Sequence, residues 1–218
     1  GAVVPPVVAQ TVGSEPFNVG DAQHAALAYY ESGRYAQDLD VVLAEARRWI
    51  NERARHGRHL AIVLDIDETS LSNWRAISAD GFGYIRDGAC DRLPKGPCGW
   101  LAWESSGQAT AIPGTLQIVR DAQRLNIAVF FITGRNEDER AATQANLKAA
   151  GYEGWAGLVL RAPHTHTASA MQYKAPARAA IEARGYRIIA NIGDQPSDID
   201  GGYAERSFLL PNPFYRVP

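Results

Sequence analysis

"HLAIVLDIDETSLSNW", residues 59–74, is the stretch that decides the fold. Its apolar run, 60–64, leads directly into two acids, Asp65 and Asp67, which are one residue apart. An apolar run without alternation is typical of a strand that is buried on both faces of a parallel sheet. Paired carboxylates at the end of such a strand are costly unless something neutralises them. The stretch therefore predicts a buried strand with a charged site at its carboxyl end.

Three later runs share this apolar character: IAVFFITGR (127–135), GLVLR (157–161) and RIIANIGD (187–194). Helical patterns lie between them, at 113–125, 137–150 and 174–184. Strands that alternate with helices predict an α/β fold with right-handed crossovers. We therefore expect a Rossmann-like parallel sheet flanked by helices.

The residues before the first strand have a different character. Residues 1–58 form a helical lead-in whose apolar spacing predicts two helices, around 20–31 and 35–54. We expect residues 1–218 to form a single domain, with its core at 59–210.

Residues 70–112 form a small, aromatic-rich, cap-like insertion directly after the acid pair. Long irregular segments inside a compact domain are usually functional. The aromatic side chains either cover one end of the sheet as a satellite apolar cluster or form a wall that stacks on a substrate. In the second interpretation, Trp74 is a substrate contact.

Cys90 and Cys98 lie in the same insertion, in a short loop that contains Pro and Gly and that a disulfide could close. The alternative is two free thiols in a cytosolic loop. A disulfide implies an oxidising compartment. The chain begins without Met, as a processed, exported protein would and as a trimmed sequence would. We expect a secreted or periplasmic protein whose signal peptide has been removed.

Composition excludes some partners. With 46% hydrophobic and 21% charged residues, the chain is typical of globular proteins. A formal net charge of −2 gives no overall positive field for a nucleic acid polymer.

No stretch approaches the roughly 18 uninterrupted apolar residues of a transmembrane segment. An anionic substrate must therefore be held by local charge or by a metal. The sequence does not predict the oligomeric state.

Polar residues follow three of the four apolar runs: Asp65 and Asp67; Thr133, Gly134 and Arg135; Asp194 and Asp198. The carboxyl ends of parallel strands share one edge of a sheet, and ligands bind there. Carboxylates crowded into a cleft repel each other, and a hard divalent cation relieves that repulsion. Oxygen ligands favour Mg²⁺ over zinc. The sequence thus predicts a magnesium site at this edge.

Four motifs occur in order, and together they resemble the haloacid dehalogenase superfamily: VLDIDET, FFITGR, Lys174 in QYKAPAR, and NIGDQPSDID. Their details are similar to the class B acid phosphatase group, which includes bacterial outer-membrane lipoprotein acid phosphatases and plant vegetative storage proteins. The resemblance implies that Asp65 is the nucleophile and forms an aspartyl-phosphate. It also implies that Asp67 is the general acid and base, and that its backbone carbonyl binds the metal.

The resemblance assigns the remaining polar residues as well. Thr133, Gly134 and Lys174 would bind the phosphate, and Lys174 would also orient the nucleophile. Asp194 would be a direct metal ligand together with Asp65 and Asp67, and Asp198 would bind the metal directly or through an intermediary. The role of Arg135 is left open: it would contact the phosphate or brace a loop through a salt bridge. His164 and His166, on a polar loop, are more typical of solvent-facing residues than of a metal pair.

Three functions fit these residues. The first is a Mg²⁺-dependent acid phosphatase that acts on small phosphate monoesters. The second is a 5′-nucleotidase whose aromatic side chains stack on the base. The third is a storage or binding protein on the same fold, because a fold alone does not establish function.

Overall fold

The computed structural model describes residues 1–163 and 169–218. Its strands are β1 (Leu60–Leu64), β2 (Leu71–Ser72), β3 (Thr110–Ala111), β4 (Ala128–Asn136), β5 (Gly157–Arg161), β6 (Arg187–Gly193) and β7 (Arg206–Leu209). Five of them form a parallel sheet in the order β5-β4-β1-β6-β7. The strand that leads into the two acids is therefore central, as an α/β fold with buried strands requires.

The helices are α1 (Val19–Glu31), α2 (Arg34–Arg53), α3 (Trp74–Ala79), α4 (Trp100–Ser106), α5 (Pro113–Arg124), α6 (Arg140–Ala150), α7 (Ala170–Ala183) and α8 (Pro196–Ile199). Alternate residues of β1 point to opposite faces of the sheet. Leu60, Ile62 and Leu64 join the larger core cluster with α2 and α5, whereas Ala61 and Val63 join a smaller cluster with α7. Helices thus cover both faces, which confirms the predicted fold class.

Most of the predicted elements are confirmed, with two differences. The helix expected at 174–184 begins earlier, at Ala170, because the Ser169 side chain accepts from the backbone N–H of Gln172 and caps it. Pro176 lies inside this helix. The strand Arg206–Leu209 was not predicted, because at this edge of the sheet only Phe208 is buried.

The insertion is a small folded unit. Its ends pair as an antiparallel ribbon, with Leu71 opposite Ala111. Cys90 and Cys98 form a disulfide, which confirms that prediction. Trp103 is almost fully buried and donates its indole N–H to the Asn73 side chain at 2.8 Å.

In the lead-in, α2 packs against the sheet through residues spaced by three and four: Leu39, Leu43, Ala46 and Ile50. The Trp49 indole N–H also donates to the carbonyl of Ile189 in β6, at 2.8 Å. Within the described ranges, no helix combines the length and the apolar composition needed to cross a bilayer.

This packing predicts a strong effect at Leu43. Replacing Leu43, which is 2% exposed, with Ala leaves a cavity between α2 and the core. We expect the free energy of unfolding to fall by about 2–5 kcal/mol. Val41, 68% exposed on the same helix, is the control, and its Ala variant should stay within about 0.5 kcal/mol of the wild type. Urea unfolding measures both variants, and equal stabilities would contradict the packing described for α2.

Candidate active site

The turn after β1 fixes the position of Asp65. Its backbone N–H donates to the carbonyl of Ile192 at 3.0 Å, which ties the end of β1 to β6. The Ser70 hydroxyl donates to the Asp65 carbonyl at 2.7 Å. Glu68 adopts a positive φ of 58°, so the chain reverses sharply here. The Asp65 side chain is thereby held at the carboxyl edge of the sheet.

Three buried carboxylates meet at this edge. Asp65, Asp194 and Asp198 each offer an oxygen, and these oxygens lie within 4.8 Å of one another. Burial, followed by the charge of Asp198, raises the pKa of Asp65 well above its ordinary value and also raises the pKa of Asp194. The three carboxylates therefore cannot all remain ionised without a nearby cation. An all-oxygen donor set of this charge fits a hard divalent ion.

Loop geometry brings Asp194 and Asp198 together. Asp194 directly follows β6, and Asp198 lies in α8. The Asp198 carboxylate accepts from the backbone N–H groups of Asp194 at 3.2 Å and Gln195 at 3.0 Å. A Cβ at Gly193 would lie 2.4 Å from the Asp198 Cβ, so this close approach requires glycine.

Lys174 is the cation that this cluster already contains. From α7 it donates to Asp65 at 2.7 Å and to Asp198 at 2.5 Å. Burial lowers the pKa of Lys174, but the two carboxylates outweigh that effect and raise the pKa above its ordinary value. Lys174 is therefore charged, and it is buried within the cluster.

Arg178 lies one turn further along α7 and is fully buried. Its guanidinium donates to the backbone carbonyls of Asp198 at 2.7 Å, Asp200 at 2.6 Å and Gly202 at 2.8 Å. Helix α7 thus contacts the loop after β6 in two ways. Lys174 binds the Asp198 side chain, and Arg178 binds backbone carbonyls of the loop.

Asp67 has separate partners. Arg135 donates to its carboxylate at 2.7 and 3.2 Å, and Asn73 donates at 2.9 Å. Burial raises the pKa of Asp67, but Arg135 and Asn73 outweigh burial and lower it overall. Of the two roles considered for Arg135, this geometry favours the salt bridge.

Thr133 and Gly134 lie near the end of β4. The Thr133 hydroxyl accepts from the backbone N–H of Arg135 at 3.1 Å. Gly134 lines the cavity, and its Cβ position has no atom within 4 Å, so its backbone is open to a ligand. Phosphate binding by these residues remains a prediction.

A cavity of about 520 Å³ opens over these residues. Asp65, Asp67, Lys174, Asp194 and Asp198 all line it. Its aromatic lining comes from Phe82, Tyr84, Trp100 and Tyr215. Trp74 is placed elsewhere: its ring stacks on Tyr30 with centroids 3.7 Å apart. A substrate contact by Trp74 stays a prediction. His164 and His166 lie outside the described residues.

Several residues at the cavity were not predicted from the sequence. Burial and the neighbouring Glu139 raise the pKa of Glu104 to about 10, so Glu104 is protonated at neutral pH. Glu68 accepts from the Tyr215 hydroxyl, and burial raises the pKa of Glu68 to about 8. An acid in a short amphipathic helix and a tyrosine near the chain end carry no distinctive sequence signal. Glu68 follows Asp67 directly, so its position in the motif was the one available sign.

Comparisons with known proteins show the family to which this chain belongs. The profile of the haloacid dehalogenase (HAD) superfamily, subfamily IIIB (acid phosphatase), matches residues 8–218. The chain is 34% identical to acid phosphatase 1 of Solanum lycopersicum, over 86% of this chain and 66% of that protein. It is 32% identical to vegetative storage protein 1 of Arabidopsis thaliana, over 86% of this chain and 67% of that protein.

Among solved structures, the class C acid phosphatase from Bacillus anthracis with tungstate bound has the same fold. The TM-score is 0.72 at 21% identity, covering 91% of this chain and 86% of that one. The α/β fold is shared with that solved structure. The match over residues 8–218 shows the family. The chain belongs to the HAD superfamily, subfamily IIIB, the acid phosphatases.

The Asp67–Arg135 pair predicts a stability that depends on pH. Because the pKa of Asp67 is lowered, the pair stabilises the native state above the ordinary carboxyl range, and this stabilisation is lost as the pH falls through the lowered pKa. In an Arg135→Met variant, Asp67, whose side chain is 19% exposed, is left without its cation, so the variant should lose stability as the pH rises. We expect a loss of about 3–5 kcal/mol near neutral pH and a smaller loss at about pH 4.

Thermal unfolding in EDTA at the two pH values measures this difference. Arg187→Met is the control, since Arg187 is exposed and lies 3.5 Å from Glu205. That variant should change stability by no more than about 1 kcal/mol at either pH. A loss at Arg135 that is independent of pH would contradict the pairing.

Proposed function

We propose that this protein is a Mg²⁺-dependent acid phosphatase that hydrolyses small phosphate monoesters through an aspartyl-phosphate on Asp65. One observation carries the proposal: the Asp65 carboxylate lines the cavity, lies beside Asp194 and Asp198, and is held by Lys174. A carboxylate can attack phosphorus without prior deprotonation. Phosphoryl transfer depends mainly on positioning and charge neutralisation, and this cluster supplies both.

In the first step, an Asp65 oxygen forms a bond to phosphorus and the bond to the leaving oxygen breaks. The hydrogen bond from Lys174 fixes the direction of the attacking carboxylate. The charge of Lys174 also offsets the charge that develops on the transferred group. Thr133 and Gly134, on the neighbouring strand, would bind the phosphate oxygens.

Asp67 moves the proton in both steps. It gives its proton to the leaving oxygen, and then takes one from the water that cleaves the aspartyl-phosphate. Arg135 lowers the pKa of Asp67, so in the free protein near neutral pH this carboxyl is ionised. The protonated form that the first step needs becomes more abundant as the pH falls. This gives a physical reason for an acidic pH optimum.

The donor set fits Mg²⁺. Asp65, Asp194 and the backbone carbonyl of Asp67 would hold it, with Asp198 binding directly or through water. When bound, Mg²⁺ supplies positive charge that lets the anionic substrate approach the anionic nucleophile.

A 5′-nucleotidase is the second candidate, and the cavity's aromatic lining favours it, because such rings can stack on a base. The similarity to a vegetative storage protein keeps a storage role as the third candidate. The retained Asp65 and its intact partners support an enzyme. The disulfide supports an oxidising compartment, so we propose a secreted or periplasmic location.

Substitution of the nucleophile tests the reaction. Asp65→Asn keeps the shape of the side chain but removes the attacking carboxylate, so we expect hydrolysis of para-nitrophenyl phosphate to fall about 10³-fold or more. Asp200→Asn is the matched control, because the Asp200 side chain is exposed, and it should retain the wild-type rate. Wild-type activity in Asp65→Asn would disprove the mechanism.

A substrate panel separates the three functions. We expect phosphate release from nucleotides and sugar phosphates with Mg²⁺, none with EDTA, and faster turnover at acidic pH. A strong preference for nucleotides would favour the nucleotidase. No release from any monoester, with Mg²⁺ shown to be bound, would favour the storage or binding role.

A further inference from the structure

The last residues of the chain lie against the proposed metal site. Tyr215, Arg216, Val217 and Pro218 line the cavity. The same segment, 211–218, is joined by hydrogen bonds to the loop after β6, which carries Asp194. The side chains of Asn212 and Gln195 make these connections, and the function proposed above gives neither residue a role.

Both amides donate to the same oxygen of Asp194. The Asn212 Nδ2 lies 2.8 Å from Asp194 Oδ2, and the Gln195 Nε2 lies 2.9 Å from it. The other oxygen, Oδ1, accepts from the Thr69 hydroxyl at 3.0 Å. Two donors on one side of the carboxylate fix its rotation about χ2.

The orientation of each amide is determined by its opposite end. The Asn212 Oδ1 accepts from the backbone N–H groups of Phe214 at 2.9 Å and Tyr215 at 3.3 Å. The Gln195 Oε1 accepts from the backbone N–H of Val217 at 2.8 Å. Because only the carbonyl end of an amide can accept, the NH₂ ends must face Asp194. The folded C-terminal segment therefore determines how these donors point.

We propose that Asn212 and Gln195 are positioning residues that set the affinity of the site for Mg²⁺ by holding Asp194 Oδ2. This inference rests on the proposed function, in which Asp194 is a metal ligand. Partners of this kind orient a ligand before the ion arrives, and their loss typically weakens metal affinity 10–100-fold. The C-terminal segment thus has two roles: it forms part of the cavity wall, and it orients a metal ligand.

Two substitutions at Asn212 separate positioning from simple folding. Asn212→Ser keeps a short side-chain oxygen that can accept from the N–H two residues on, but it is too short to donate to Asp194. Asn212→Ala removes both functions. Asn51→Ser is the matched control, because Asn51 is exposed on α2 and donates to the Arg47 carbonyl at 2.8 Å, far along the chain from the site.

The experiment is titration of each protein with Mg²⁺ alone in a calorimeter, together with thermal unfolding in EDTA. We expect Asn212→Ser to unfold close to the wild-type temperature and to bind Mg²⁺ about tenfold more weakly. Gln195→Met, which removes the second donor, should also weaken binding. Asn51→Ser should bind as the wild type does.

Equal Mg²⁺ affinity in wild type and Asn212→Ser would overturn the inference and leave the proposed function standing. Weaker binding in Asn212→Ala alone, with a lower unfolding temperature, would also overturn it, because the turn cap and not the donor would then be responsible. A wild-type protein that binds no Mg²⁺ would contradict the metal dependence in the proposed function and the inference with it.

Discussion

The repulsion between three buried carboxylates is the constraint on which the rest of this structure depends. Asp65 and Asp194 follow two strand ends, Asp198 lies in α8, and their oxygens lie within 4.8 Å of one another. One buried cation, Lys174, contacts two of them. Net negative charge remains, and this remaining charge makes the edge of the sheet suited to a divalent ion. The buried Arg178 holds the backbone that keeps the acids close, without neutralising their side chains.

A second group of charged residues lies beside the carboxylate cluster and has partners of its own. Arg135 pairs with Asp67, and burial raises the pKa of the neighbouring Glu104 to about 10. Asp67 thus keeps a partner of its own and is not drawn into the carboxylate cluster. In the mechanism that we propose, this separation would let one acid attack phosphorus while the other moves a proton. The acidic optimum that we propose follows from the cost of protonating Asp67 against its arginine.

The sheet and the acids were predictable because they depend on local sequence. Apolar runs such as 60–64 have few alternatives to a buried parallel strand, and acids at strand ends meet at one edge. The surroundings of these acids were harder to predict from the sequence. β7 has a single buried side chain. Asn212, which donates to Asp194, lies 18 positions after it in the sequence. The position of Trp74 likewise depends on tertiary packing, against Tyr30.

The measurement that tests the central claim most directly is the detection of the phosphorylated enzyme. The protein would be mixed with Mg²⁺ and a phosphate monoester, quenched in acid within the first turnover, and digested for mass spectrometry. The account predicts one phosphoryl group on the peptide that contains Asp65, and its absence in Asp65→Asn. Phosphate release without modification of Asp65, or with the phosphoryl group on another residue, would contradict the account.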